Sequence, residues 1–336
     1  MSGALRRRLD EGRWHFQHGP IDCIVGADGD ADAIASAVER AAARFETILD
    51  ELVGELALLR TDLASSAGAA VQPRGRIARR MVDACRPHAA SGRFITAMAA
   101  VAGSVAQELV PFFNDPRIVR AYVNNGGDIA LHLGPGAEFE IGWIADTDAA
   151  LRARAVAAAR GASMHGARDP ALDGTFRITA DSPVRGVATS GWRGRSFSLG
   201  IADSVTVLAT SAAAADAAAT VIANAVDADD PAIRREPANR VRDDSDLGER
   251  LVTRAVGALP QAVVDAALAA GAAVAETEIR AGRAIAAALC LQGRVRTCPD
   301  AESRAMPIRS DVDARGPDPS RFGGLRPIAV PPLPRT

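Results

Sequence analysis

Between Ser211 and Val226 the chain is almost entirely Ala, Val and Ile, with a single carboxylate, Asp216, among them. A helix with so few bulky side chains can approach its neighbours closely on several sides. A charge placed on it needs a partner, because an unpaired buried charge is costly. Asp216, Thr220 and Asn224 recur at every fourth residue. At roughly 100° per residue, each such step turns the side-chain direction by about 40°, so the three form one slowly drifting polar stripe. Two explanations stay open from spacing alone. Oxygens of Asp216 and Thr220 hold a hard cation, or Asp216 lies exposed near the helix start, favoured by the helix dipole.

Small side chains dominate the rest of the chain as well. Apolar residues make up 48% of the 336 positions and aromatic residues only 4%, so the core must be built from Ala, Val, Leu and Ile. That length is ample for a buried core. All 39 basic residues are arginine, since lysine is absent, and a single arginine is therefore a weak signal. The 41 acidic residues bring the net charge to -2, which argues against a nucleic-acid binder, whose phosphates call for a basic excess. No run approaches the ~18 consecutive apolar residues of a bilayer span. Met1 to Trp14 has no apolar core of a secretory signal. The four cysteines fall at no metal-ligand spacing and read as reduced thiols. The expectation is a cytoplasmic protein with no membrane partner.

Along the chain, residues 1–30 read as strands, with Ala27 to Asp30 a turn and Asp30 or Asp32 a helix cap. Ala31 to about Ser65 is helical, with Gly54 dividing it, and Ile77 to Cys85 is a second helix ended by Pro87. Phe94 to Phe113 reads as a helix crowded with small residues. A hairpin is expected between Ile129–Leu133 and Phe139–Ile144. Asp148 to Arg160 reads as helix and Gly161 to Gly174 as loop. Thr175–Thr179, Gly186–Gly191 and Ser204–Ala209 read as strands, and Ser211 to Val226 as a helix capped by Thr210 or Ser211. Residues 227–250 are charged and read as an exposed connection, 251–292 as helices, and 299–336 as a disordered tail. Residues 1–298 are expected to form a single domain.

Two further segments could carry chemistry. Asn125-Gly126-Gly127-Asp128 stands at a strand entrance. Paired glycines there mean either a close approach by another group, with Asn125 and Asp128 as its hydrogen-bond partners, or plain turn chemistry. The stretch from Thr189 through Ser190, Gly191, Arg195 and Ser196 to Ser198 joins two strands. Its hydroxyls, glycines and guanidinium groups are what a phosphate site requires, and also what many surface loops contain. No dinucleotide fingerprint, P-loop or nucleophile elbow is present.

Taken in order, these segments resemble the ApbE-like superfamily, whose best-known members are FAD:protein FMN transferases. AGSVAQELV at 102–110, VNNGGDIAL at 123–131 and the run from Ala188 to Val226 carry the likeness, best over 94–226; QGRVR at 292–296 is similar to an uncharacterised branch. The resemblance implies an α+β fold of the T-fold type, an antiparallel sheet backed by helices. It also implies Mg2+ held by Asp216, Thr220 and a backbone carbonyl near Val101 or Ala102, and FAD or FMN lined by Gly126, Gly127, Thr189 and Ser190. The well-known transferases carry a histidine between the TSG segment and the SVTV strand. Here that interval, Trp192 to Asp203, has none, and Ser196 falls nearest.

Three functions follow as expectations. The first is a Mg2+-dependent flavin or nucleotide transferase or pyrophosphate-cleaving enzyme. The second is a binder of a pterin- or purine-like ring without flavin transfer. The third is a structural protein that assembles with copies of itself, for which the alanine-rich helices offer close-packing faces.

Overall fold

The computed structural model describes residues 3–9, 12–143, 174–299 and 308–309. The expected helix 148–160 and loop 161–174 lie outside the described residues apart from Gly174, and so does the tail except for Pro299, Ile308 and Arg309.

Alternating side chains build a nine-stranded sheet. Its strands are β1 (Leu5–Arg8), β2 (Arg13–His18), β3 (Ile21–Gly29), β4 (Ile118–Asn125), β5 (Asp128–Leu133), β8 (Gly186–Ser190), β9 (Ser204–Ala209), β12 (Ala286–Leu291) and β13 (Arg294–Cys298), in that spatial order. Each neighbouring pair is antiparallel. One face carries the helices α1 (Ala31–Gly54), α3 (Arg76–Ala89), α4 (Val101–Leu109), α5 (Ala212–Ala225) and α7 (Gln261–Arg280). Their apolar sides pack with Cys23, Val25, Ala130, Ala188, Val207 and Leu289. The alternate residues, such as Ile129, Leu131, Val187, Leu208 and Ala288, meet Phe139, Ile141, Phe176 and Ile178 on the other face. Those four come from β6 (Glu138–Trp143) and β7 (Gly174–Thr179), which with β14 (Ile308–Arg309) form a separate three-stranded sheet. The expected α+β class, with an antiparallel sheet backed by helices, holds.

Local chemistry set several boundaries where the sequence placed them. Asp30 caps α1 by accepting from the Ala33 N–H at 2.9 Å, and Ser211 caps α5 through the Ala214 N–H at 3.3 Å, the pattern favoured at helix starts. The first helix ends at Gly54, and only the short α2 (Leu56–Leu59) follows.

Other expectations need correction. The Ala27–Gly29 stretch is not a turn, since β3 runs to Gly29 before the cap. The second helix continues through Pro87 to Ala89, with His88 and Ala89 buried in its last turn. Phe94 to Phe113 is not one helix: 3-10 turns at Ala97–Ala100 and Val110–Phe113 flank α4. The 129–133 strand pairs with β4 and β8, and Glu138–Trp143 pairs with β7. The reason is the Gly126-Gly127 turn, with φ of +67° and +116°, which closes the tight β4–β5 hairpin. Residues 227–250 contain β10 (Ile233–Pro237) and the short α6 (Ala238–Val241), and β10 pairs with β11 (Leu251–Val256). Residues 286–291, AAALCL, are a strand buried on both faces. A doubly buried strand shows no alternation and looks like an alanine helix. In the expected tail, Ile308 and Arg309 pair with β7.

Candidate functional site

The site is built where α4 starts. Ala100, the residue before it, offers no side-chain cap, so the first N–H groups of the helix need another acceptor. Asp216 supplies it from α5: its Oδ2 accepts from the Gly103 N–H at 2.9 Å. The contact needs glycine at 103, because a side chain there would run into the Ala212 carbonyl and the Asp216 Cβ. Thus the small-residue stretch around 102–106 lets two helices meet at backbone distance. Asp216 is half-buried rather than exposed at the helix start. Burial pushes its carboxyl well above the usual carboxylate range and the nearby Asp128 carboxyl adds to this, while the Gly103 and Ala102 N–H groups pull the other way.

Asp128 reaches the same place from the sheet. It opens β5 opposite Asn125, across the glycine pair. Its Oδ1 accepts from the Thr189 N–H at 3.2 Å. Burial pushes its carboxyl up to about 7, opposed by the Thr189 N–H and by the charge of Arg195. Asn125 is buried, with its Nδ2 donating to the Ala102 carbonyl at 3.2 Å and its Oδ1 accepting from Asp22 N at 3.4 Å. Gly127 N donates to Asn124 Oδ1 at 2.9 Å, and the Arg195 guanidinium lies against the Cα of Gly126. The NGGD segment is therefore both a turn and a point of close approach.

The other expected residues divide. Ser190 pairs with Val205 at the end of β8, half-buried on the helix side of the sheet. Thr189 presents its N–H to Asp128, but its hydroxyl bonds to Thr206 Oγ1 at 2.9 Å. Gly191 lies against the Asp203 carbonyl, where a side chain has no room. Ser196 is exposed at the loop tip. Ser198 is turned to other work: its Oγ bonds to Asn224 Oδ1 at 3.3 Å and its carbonyl accepts from Thr253 N at 2.9 Å. The polar stripe of α5 is thus shared, Asp216 serving α4 and Asn224 the 198–200 loop. Thr220, half-buried between them, makes no hydrogen bond to a described residue.

Sequence reasoning missed two buried carboxylates. Glu108 on α4 receives Arg44 at 2.9 Å, Arg80 at 3.1 Å, and Arg76. Glu278 on α7 receives Arg93 at 3.1 Å and Arg283, and lies 3.3 Å from His88 Nδ1. Both are fully buried. Burial alone would raise the Glu278 carboxyl, yet His88 and Arg283 bring it down to about 2. Their partners come from distant elements, so no local spacing announces them.

Among the described residues no group of three or more His, Cys, Asp or Glu assembles into a metal cluster. A cation here would depend on the Asp128 and Asp216 carboxylates, the Thr220 hydroxyl and the Ala102 carbonyl. That hard-oxygen set suits Mg2+, which takes one or two carboxylates and completes its shell from substrate phosphate and water. Among the described residues no helix is long and apolar enough to cross a membrane.

With this geometry in view, the chain was compared with known proteins. A profile of the family described as AbpE bacteria matches residues 6–297. The chain belongs to that family. It is also similar to a UPF0280 protein of Methanopyrus kandleri, 31% identical over 147 residues, which are 44% of this chain and 50% of that protein. The match thus spans half the length of this relative. The AbpE bacteria family covers every element from β2 to β12, so the carboxylate pair and the glycine turn lie inside the matched region. Neither name carries an activity.

Proposed function

We propose that this member of the AbpE bacteria family binds a nucleotide together with Mg2+, with FAD or FMN as the nucleotides favoured by the ApbE-like resemblance. Asp216 and Thr220 would hold the cation, with Asp128 and the Ala102 carbonyl beside it. Gly126, Gly127, Thr189, Ser190 and Arg195 would border the ligand. When bound, Mg2+ would offset the charge of the carboxylates and of ligand phosphates. The residues themselves orient the site. Gly103 lets Asp216 sit on the start of α4, Asn125 fixes the Ala102 carbonyl, and the glycine turn leaves room for a close approach.

One observation carries this reading. A buried carboxylate from the sheet, Asp128, and a half-buried one from a helix, Asp216, converge with raised proton affinity. Such a pair costs stability when both ionise without a cation between them. A site that holds such a pair on backbone donors beside a glycine turn is suited to a divalent cation with an anionic ligand.

A second reading is favoured by the interval from Trp192 to Asp203. It has no histidine, and both Trp192 and Arg193 bond to Asp203 Oδ1. With no histidine there and its one carboxylate, Asp203, already engaged, binding of a flat pterin- or purine-like ring without group transfer is the alternative.

The ligand that leaves the purified protein on denaturation separates the two, by absorbance and mass spectrometry. FAD or FMN supports the first reading and a pterin or purine the second. A protein that carries nothing, and binds none of these when they are added with MgCl2, contradicts both.

A further inference from the structure

The loop from Gly191 to Gly200 holds one guanidinium against the β4–β5 turn. Its first shoulder is fixed on Asp203, whose Oδ1 accepts from Trp192 Nε1 at 3.1 Å and Arg193 Nε at 2.8 Å, and whose Oδ2 accepts from Gln292 N at 2.6 Å. Its second shoulder is fixed on Asn224, whose Oδ1 accepts from Leu199 N at 3.0 Å and Ser198 Oγ at 3.3 Å. Between them Gly194, Arg195 and Ser196 are exposed. From this tip Arg195 folds back over the β4–β5 turn, and its guanidinium fills the space that a side chain at Gly126 would take. Its charge is felt by Asp128 and by the buried Cys23.

We infer that Arg195 is the specificity-determining residue of this pocket, selecting ligands that carry a phosphate or similar anionic group over uncharged rings. This rests on the cation-and-nucleotide reading above and sharpens it. Two ionised carboxylates, one divalent cation and one guanidinium leave the pocket with a net positive charge, which an anionic group neutralises and an uncharged ring does not. Guanidinium is always protonated and presents a planar fork of donors, suited to paired phosphate oxygens. It cannot accept a proton.

The test compares FAD with riboflavin, which has the same ring and no phosphate, each titrated with MgCl2 present. The proteins are the parent chain, Arg195→Ala, Arg195→Lys and Asp216→Asn. Loss of a charge-assisted hydrogen bond predicts that Arg195→Ala weakens FAD binding about tenfold or more. Riboflavin binding stays within about twofold, the error expected of a side chain that does not touch the ring. Arg195→Lys recovers part of the loss, because a point charge replaces the fork. Equal weakening of both ligands, or of neither, by Arg195→Ala overturns the assignment. If Asp216→Asn binds FAD like the parent, or the parent binds neither ligand, the underlying site reading fails as well. If Asp216→Asn loses FAD while Arg195→Ala keeps it, only the role of Arg195 is wrong.

Discussion

The Asp216 carboxyl, on a helix, takes up protons more readily because burial desolvates it and because the Asp128 carboxyl, at the start of a strand, adds its charge. Each is held by a backbone donor, Asp216 by the Gly103 N–H and Asp128 by the Thr189 N–H, and Asp128 also feels the charge of Arg195. A paired arginine would stabilise the ionised forms permanently. Backbone donors leave room for a proton or a cation to decide the charge.

The sign of the pH effect follows. A carboxyl whose folded pKa is raised contributes stability at low pH and loses it as pH rises through its folded value. For Asp128 the window runs from the ordinary 3.8 to about 7. Metal-free protein is therefore expected to lose thermal stability from about pH 4 to about pH 7, and Asp128→Asn, which keeps an acceptor for Thr189, to lose less. Melting temperatures of the two chains across that range check this. Parallel curves would contradict the raised proton affinity of the buried Asp128 carboxyl.

Glu278 behaves in the opposite sense. Its folded pKa of about 2 lies below the ordinary 4.5, so its contribution is present above the ordinary value and vanishes as pH falls towards 2. Glu278→Gln removes a buried carboxylate from His88 and two partly exposed arginines and should cost about 1–3 kcal/mol at neutral pH. Urea unfolding at pH 7 measures it, and a cost near zero would show that the arginines and His88 find other partners.

Gly103 sets the distance between α4 and α5. Gly103→Val pushes a side chain into the Ala212 carbonyl and the Asp216 Cβ. An overpacking cost of about 1–3 kcal/mol is expected, together with weaker Mg2+-dependent ligand binding than in the parent. A lowered urea midpoint with an unchanged slope is the stability signature. Full stability in the variant would show that the helices can part without loss.

How much of this could be read from the sequence depended on where the information sits. Caps are local, so the sequence narrowed them to Asp30 or Asp32 and to Thr210 or Ser211, and the structure selects Asp30 and Ser211. The α5 stripe could be read because helical spacing puts Asp216 and Thr220 on one side. Partners across the fold could not be read: Gly103 N for Asp216, the three arginines on Glu108, and Asn224 for Ser198. Strand β12 hid because burial on both faces removes its alternation, and its alanines have a helical composition. The β10–β11 pair hid behind its charges, since one ribbon needs only a few inward residues such as Val252 and Thr253, both buried.

The most direct test of the cation reading is a titration of MgCl2 into protein mixed with FAD, following flavin fluorescence in the parent chain and in Asp216→Asn. The account predicts a saturable, Mg2+-dependent change in the parent that is absent in the variant, with both chains folded by circular dichroism. The same Mg2+ dependence in both chains would contradict it.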